Sequence, residues 1–107
     1  MYQGWYSNGQ KNYEMYYVAD NIEGLYKGWW ENGQNSKECS YKEGKLHGLY
    51  KDWWRNGQLF TVCSYKDGKK DGECKEWNEN GELLLHCIYN NGTATQILAG
   101  SLDIEIN

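Results

Sequence analysis

The sequence contains no proline and one phenylalanine among its 107 residues, and leucine, isoleucine and valine are few. A chain so poor in aliphatic side chains is not expected to build a thick hydrophobic core. Its ten tyrosines and six tryptophans can instead bury a ring while a polar group stays in water. Absent proline and frequent glycine favour tight turns over irregular loops. The composition therefore indicates one thin, half-solvated domain.

Basic clusters and long apolar runs are also missing. The net charge is −4, with lysines and acids interspersed, which argues against direct nucleic-acid binding because that needs a basic patch. No stretch approaches the ~20 apolar residues of a membrane span, and residues 1–6 do not resemble a secretory signal. Met1 also falls 24 residues before Leu25, in the phase of a repeat boundary. We therefore expect a cytoplasmic protein without membrane association, whose acidity favours a basic partner.

What the sequence does contain is a tandem repeat of 24 residues. Asn-Gly pairs recur without drift at positions 8–9, 32–33, 56–57 and 80–81. Two aromatic phases share this period: Trp5, Trp29, Trp53 and Trp77, and Tyr17, Tyr41, Tyr65 and Tyr89. Self-similarity at a fixed period of roughly 20–50 residues indicates an array whose units bury surface against their neighbours. We expect repeats at about 1–23, 24–47, 48–71 and 72–95 within a single repeat domain, 1–107.

Each repeat is typical of two β-strands and two turns. Asn-Gly between β-prone runs is a strong hairpin signal, because a type I′ turn needs positive φ at both central residues, and Asp67-Gly68 offers a second turn. No 3.6-residue period indicates helix. Alternation of Leu102, Ile104 and Ile106 with acids predicts a C-terminal capping strand at about 96–107. The expected fold class is all-β, an elongated single-layer antiparallel meander of tandem 24-residue β-hairpin repeats.

The turn positions also predict which residues face each other. With Asn-Gly as a two-residue loop, the expected pairs are Tyr26–Cys39, Tyr50–Cys63, Cys74–Cys87, Trp53–Phe60 and Trp77–Leu84. One face of the sheet is then expected to carry Trp53, Phe60 and Val62, and the other Tyr50, Trp54, Leu59, Cys63 and Tyr65.

A family resemblance rests on two matching strings. Tyr-Lys-Asp-Gly-Lys-Lys-Asp-Gly at 65–72 and Tyr-Lys-Glu-Gly-Lys-Leu-His-Gly at 41–48 resemble the MORN repeat, most closely the bacterial variant of YwqK-family antitoxin-like proteins. The resemblance covers about residues 1–92, while Val18-Ala19-Asp20-Asn21 departs from it. It implies MORN-like hairpins that act as a protein-interaction or membrane-proximal scaffold, and an antitoxin-like role.

The four cysteines predict neither a metal site nor a disulfide. Cys39, Cys63 and Cys87 lie one repeat apart, about 9.6 Å at the usual strand spacing, whereas a disulfide needs Cα atoms within ~7 Å. Cys74 opposite Cys87 is the one plausible pair, and without a secretory signal reduced thiols are expected. A metal cluster of Cys63, Cys74 and Cys87 lacks zinc-type spacing; small buried side chains explain this column better.

Catalytic constellations are likewise absent from the sequence. His47 falls at a turn and His86 in a strand, and neither comes with a nucleophile motif or an orienting carboxylate. We therefore expect no enzymatic activity, no cofactor and no metal.

The aromatic columns are the candidate binding residues. Trp29, Trp53, Trp77, Tyr41, Tyr65 and Tyr89 are expected to pack neighbouring repeats together. A single-layer sheet has a second face, however, and exposed aromatic patches mark interaction surfaces. The predicted partner-binding residues on that face are Tyr6, Tyr26, Trp30, Tyr50 and Trp54.

Several functions fit such a surface. The leading hypothesis is a non-enzymatic protein-protein interaction module, in its sharper form an antitoxin or inhibitor that blocks a basic toxin or nuclease. The alternatives are an aromatic repeat that binds choline, a glycan or a lipid headgroup, since aromatic rings hold cations and sugars, and a homodimerising scaffold.

Overall fold

The computed structural model describes residues 1–100, and the regular structure in that range is β-strand. Helices are absent there, so nothing in residues 1–100 could cross a bilayer as a helix. The strands are β1 (Tyr2–Trp5), β2 (Lys11–Met15), β3 (Tyr17–Val18), β4 (Asn21–Ile22), β5 (Gly24–Trp29), β6 (Asn35–Lys42), β7 (Lys45–Trp53), β8 (Leu59–Lys66), β9 (Lys69–Trp77), β10 (Leu83–Asn90) and β11 (Thr93–Ala99).

Nine of these strands form one open antiparallel sheet in the order β1-β2-β5-β6-β7-β8-β9-β10-β11, while β3 and β4 form a separate two-stranded sheet. The predicted all-β meander of consecutive hairpins is confirmed. The last described strand, β11, pairs with β10 and begins at Thr93, inside the fourth repeat and earlier than the expected capping strand. The alternating pattern of Leu102, Ile104 and Ile106 lies outside the described residues.

The turns at Asn-Gly differ from the predicted type. Gly33 N donates to Trp30 O over 2.9 Å, and Trp30 N donates to Gln34 O over 2.7 Å. Gly33 has φ +86°, but Asn32 is not among the residues with positive φ. The loop is therefore three residues long, a type I turn completed by a left-handed glycine. The Asn32 side chain stabilises this form, because its Oδ1 accepts a hydrogen bond from Gln34 N at 2.9 Å.

Two-residue turns of the primed type occur instead at the opposite end of the hairpins. Glu43 and Gly44 have φ of 53° and 80°, and Asp67-Gly68 and Asn91-Gly92 repeat this pattern. The predicted second turn at Asp67-Gly68 is thus confirmed. These turns also join neighbouring repeats, since Gly68 N donates to Leu46 O over 2.8 Å.

The register combines confirmed and wrong pairs. Tyr26–Cys39, Tyr50–Cys63 and Cys74–Cys87 are paired as predicted. Near the three-residue loops, however, Trp53 pairs with Leu59 and Trp77 with Leu83, so the predicted pairs Trp53–Phe60 and Trp77–Leu84 are wrong. Phe60 and Leu84 are the extra residues of β-bulges, and each bulge compensates for the longer loop.

The bulges also change the predicted faces. Residues that alternate along the strands define a cysteine face, with Cys39, Cys63, Cys74 and Cys87, and a charged face, with Lys27, Glu38, Lys51 and Lys75.

Phe60 was predicted to lie with Val62, but its ring packs on Trp54 with centroids 4.3 Å apart, on the cysteine face. Leu59 was predicted to lie with Trp54, but as the partner of Trp53 it lies away from that face. The extra bulge residue reverses the alternation at this point, so Phe60 and Leu59 exchange places.

The core lies under the third and fourth repeats on the cysteine face. Its fully buried residues are small apart from Leu85, and the cluster comprises Cys63, Cys74, Leu85, Cys87 and Tyr89. Small side chains in these positions were expected, and the burial of this column is confirmed for Cys39, Cys63 and Cys87.

Cys63 and Cys74 form a disulfide with Cα atoms 4.1 Å apart. The expectation of reduced thiols, with Cys74–Cys87 as the one plausible pair, is wrong for this bridge. Cys74 has cross-strand neighbours on both sides, Cys87 on β10 and Cys63 on β8. The predicted pairs lie only across the Asn-Gly loops, and the β8–β9 contact is not one of them. Cys39 and Cys87 are buried outside the bridge.

Candidate functional site

In each of the first three repeats, an aromatic residue next to the tryptophan that ends β1, β5 or β7 hydrogen-bonds to the following repeat. The Tyr6 hydroxyl donates to Trp29 O over 2.7 Å. The Trp30 and Trp54 indole N–H groups donate to Trp53 O and Trp77 O over 3.1 and 3.0 Å. Each hydrogen bond fixes a ring over the boundary between repeats, so these rings have a structural role whatever else they do.

A cleft of about 370 Å³ opens beside these rings, and we call it the aromatic cleft. Its lining consists mostly of aromatic side chains, with a few polar residues among them. The lining residues are Tyr6, Trp30, Ser36, Lys37, Tyr50, Asp52, Trp53, Trp54 and Phe60. Four of the five predicted partner-binding residues, Tyr6, Trp30, Tyr50 and Trp54, are therefore brought together in one place.

Tyr26, the fifth predicted residue, lies next to the cleft rather than in its lining. The connection is Lys37, whose Nζ lies 5.4 Å from the Tyr26 ring centroid and 5.3 Å from that of Tyr50. An ammonium at this distance from ring faces is attracted by their negative electrostatic potential. The Lys37 ammonium thus lies between the two tyrosine rings. Lys37 was not predicted as a site residue, because nothing in the repeat pattern distinguishes it.

Phe60 is a second lining residue that sequence reasoning placed wrongly. As the bulge residue of β8 it turns onto the cysteine face and contacts Trp54. The signal that could have found it is local: a three-residue loop at Asn56-Gly57 requires a compensating shift to keep Tyr50 opposite Cys63.

Asp52 is the acidic group of the cleft. It lies across from Lys37 on the neighbouring strand, and its Oδ2 accepts a hydrogen bond from the Tyr50 hydroxyl over 3.3 Å. Burial raises the pKa of Asp52, and hydrogen bonds from Thr61 and from the Tyr50 hydroxyl, together with the charge of Lys37, lower it only in part. Oδ1 is shielded from solvent and has no hydrogen-bond partner in the described structure. A carboxylate so placed in a cleft marks a candidate functional group.

Burial also raises the pKa of Tyr50, and the charge of Asp52 adds to this effect. The phenol therefore remains a neutral hydrogen-bond donor, and the Tyr50–Asp52 pair is a fixed polar feature between the rings.

The residues expected only to pack repeats together divide between the two faces. Tyr65 lies 5.8 Å from the Tyr50 ring and Tyr89 is buried in the core. The tryptophan phase lies outside that core: Trp5 is 57% exposed, and Trp29 carries Lys11 at 5.7 Å from its ring. Trp29, Trp53 and Trp77 are half-buried, and their predicted role of packing neighbouring repeats together stays a prediction.

The histidines lie outside the aromatic cleft. His86 Nε2 lies 2.9 Å from Glu73 Oε2 on the charged face, so the expectation that no carboxylate would orient it is wrong; Glu73 reaches it from the neighbouring strand β9. His47 is in the bulge before Gly48, and its Nδ1 is shielded and has no hydrogen-bond partner in the described structure.

Comparison with known proteins concerns the repeats themselves. The family model described as MORN repeat variant matches residues 22–43, 46–67 and 70–91. Each matched segment is one hairpin around a three-residue Asn-Gly loop, and it lies between two successive two-residue turns. A search of curated protein sequences finds no match. Since the three segments span more than half of its length, the chain belongs to the MORN repeat variant family.

Proposed function

We propose that the protein is a non-enzymatic protein-interaction module that holds its partner at the aromatic cleft. The observation that carries this proposal is the convergence of Tyr6, Trp30, Tyr50, Trp54 and Phe60 on one open cleft. Tryptophan and tyrosine dominate the energetics of protein interfaces. The hydrogen bonds from Tyr6 and Trp30 to the next repeat fix two of these rings in advance, so binding them costs little ordering entropy.

The charge of the chain supports a finer form of this proposal. The net charge is −4, and an acidic surface attracts a basic partner over long range. We infer an inhibitor that covers a basic toxin or nuclease in the cytoplasm, in keeping with the resemblance to YwqK-family antitoxin-like proteins.

The test is capture of the partner from native lysate by tagged protein, followed by binding of the identified partner in purified form. A Trp30→Ala, Trp54→Ala double variant removes two walls of the cleft. Because it also removes two inter-repeat hydrogen bonds, Phe60→Ser is a second variant, which alters the lining without removing either bond. Trp5→Ala is the matched control, since it removes an exposed tryptophan outside the cleft.

We expect the wild type and Trp5→Ala to bind the purified partner alike. Both cleft variants should lose at least about tenfold in affinity, the effect of one hot-spot side chain. Circular dichroism checks that each variant is folded. Equal affinity of folded Phe60→Ser and wild type would contradict the proposal. Saturable binding of choline, a glycan or lipid vesicles would support a ligand-binding repeat, and a concentration-dependent mass in light scattering would support homodimerisation.

A further inference from the structure

We propose that the aromatic cleft receives an arginine side chain of the protein partner, with Asp52 as its counter-charge. This inference rests on the proposed function and names the chemistry by which the site would recognise its partner. Three observations carry it: cations already lie on rings in and beside the cleft, the carboxylate of Asp52 lacks an ion pair, and the cleft is sized for a side chain.

The rings of this region already attract the protein's own cations. The Lys37 ammonium lies between Tyr26 and Tyr50, and the Arg55 guanidinium lies 5.5 Å from the centroid of the Trp30 ring. A planar guanidinium stacks on an indole better than an ammonium does, and its five donors are fixed in one plane. Trp54 and Phe60 pack on each other in the lining of the cleft and carry no such cation among the described contacts, so the ring faces that they turn away from each other are available to one.

Asp52 provides a charge that the described structure leaves without an ion pair. No salt bridge within residues 1–100 includes its carboxylate, although Lys37 lies opposite on the next strand. Asp52 lines the cleft, and the Tyr50 hydroxyl donates to its Oδ2 over 3.3 Å. A cation that enters the cleft therefore meets a carboxylate that has hydrogen bonds but no ion pair. An anionic ligand would be repelled both by the carboxylate and by the net negative charge of the chain.

The dimensions of the cleft limit what can enter. A volume of about 370 Å³ is at the lower end of the range for small-ligand pockets. It accommodates one long side chain rather than a segment of folded structure. The remaining contact with the partner would then lie outside the cleft, on the surrounding cysteine face.

The test uses short peptides and NMR, which detects weak binding at defined atoms. ¹⁵N-labelled protein is titrated with Gly-Arg-Gly, and the indole N–H signals of Trp30 and Trp54 are followed. Gly-citrulline-Gly is the matched neutral ligand, because citrulline keeps the shape of arginine and lacks its charge. Asp52→Asn is the site variant, and Glu38→Gln is the control, since it makes the same change of net charge on the charged face.

We expect Gly-Arg-Gly to shift both indole signals saturably, with the same affinity for wild type and Glu38→Gln. Asp52→Asn should lower that affinity at least about tenfold, as loss of one partner of a charge pair commonly does. Gly-citrulline-Gly should bind the wild type no more tightly than it binds Asp52→Asn. Equal affinity of Asp52→Asn and wild type, equal binding of citrulline, or no saturable shift would overturn the inference.

The failure of this inference can be told apart from the failure of the proposed function. If Phe60→Ser loses the purified partner while Asp52→Asn keeps it, the partner binds at the cleft without an arginine in the site, and the inference alone is overturned. If folded Phe60→Ser binds the purified partner as tightly as the wild type does, the proposed function is wrong. The peptide titration then says nothing about how the partner is recognised.

Discussion

The first and fourth repeats share one 24-residue pattern and differ in how much they bury. In the fourth, Leu85 and Cys87 are fully buried and Tyr89 is nearly so. In the first, the strands are short, β3 and β4 leave the main sheet, and large side chains face solvent. These exposed residues are Met1, Tyr2, Trp5, Tyr16, Tyr17 and Val18.

The difference traces to the positions that vary between repeats. One strand position holds Tyr13, Lys37, Thr61 and Leu85 in successive repeats. On the cysteine face this position holds an aromatic ring over Gly4 in the first repeat and the cation of the cleft region in the second. In the fourth repeat it holds Leu85, the largest fully buried side chain. The repeated residues thus specify the hairpins, whereas the varying residues specify where the core and the cleft lie.

Truncation of the core should produce the largest difference between the two ends. Leu85→Ala is expected to lower the free energy of unfolding by about 2–5 kcal/mol, because a fully buried leucine leaves a cavity. Val18→Ala, in the first repeat at a position 60% exposed, should change it by no more than about 0.5 kcal/mol. Urea unfolding followed by circular dichroism gives both values, and similar losses would contradict the location of the core.

Reduction of the disulfide should weaken the same end of the array. The Cys63–Cys74 bridge spans a sequence separation of 11, and opening it is expected to cost about 2–4 kcal/mol of stability. Urea titrations with and without a phosphine reductant measure the change. In hydrogen exchange, amides of β8 to β10 should lose protection before those of β1 and β2 change. Alkylation under non-reducing, denaturing conditions should modify Cys39 and Cys87 alone. Modification of Cys63 and Cys74 as well would show that the bridge is not formed.

Asp52 allows a test within the middle repeats. Its folded pKa is raised above the ordinary value of 3.8, with burial as the largest cause, so the folded state binds a proton more tightly than the unfolded state. Its contribution to stability is therefore fully present below pH 3.8 and is lost as the pH rises through the folded pKa.

Asp52→Asn should consequently raise stability at pH 7 by on the order of 1 kcal/mol, because partial exposure limits the penalty. The gain should shrink as the pH falls towards 3.8. Thermal melts of both proteins across this range measure it, and Glu38→Gln is the control. A variant that is less stable than wild type at pH 7 would contradict the assigned burial of the carboxylate.

The smallest expected effect concerns the turn of the first repeat. Ala19 and Asp20 hold φ of 50° and 68°, where the other repeats have glycine at the second position. Asp20→Gly should stabilise the protein by about 0.5 kcal/mol, because glycine adopts positive φ without a steric cost. The converse change, Gly44→Ala, should destabilise it. Thermal melts compare the two, and a stabilising Gly44→Ala would contradict the turn geometry.

Much of the fold could be predicted from the period alone. Hairpins, the antiparallel meander and the central pairs such as Tyr50–Cys63 follow from turn spacing. The turn types could not be assigned this way, because Asn-Gly suits both a two-residue and a three-residue loop. The choice depends on the side-chain hydrogen bonds of the asparagine, and the bulges at Phe60 and Leu84 follow from it.

The candidate site was predicted in part for the same reason. Tyr6, Trp30 and Trp54 share a phase apart from that of Trp29, so the pattern identified them. Asp52 and Lys37 occupy positions whose residue type changes between repeats, and only the folded register places them in one cleft. The Cys63–Cys74 bridge was missed because it joins β8 and β9, which meet at the Asp67-Gly68 turn, whereas pairs were predicted only across the Asn-Gly loops.

The hydrogen bonds from Tyr6, Trp30 and Trp54 to the following repeat have a consequence for how such a gene can change in length. Every interior unit carries a donor ring on one side and an accepting tryptophan carbonyl on the other. An in-frame duplication of the second or third repeat would therefore create a junction that already fits. The fourth repeat has Asn78 at the ring position, so a copy added after it would lack the indole. Growth by duplication is accordingly favoured in the middle of the array.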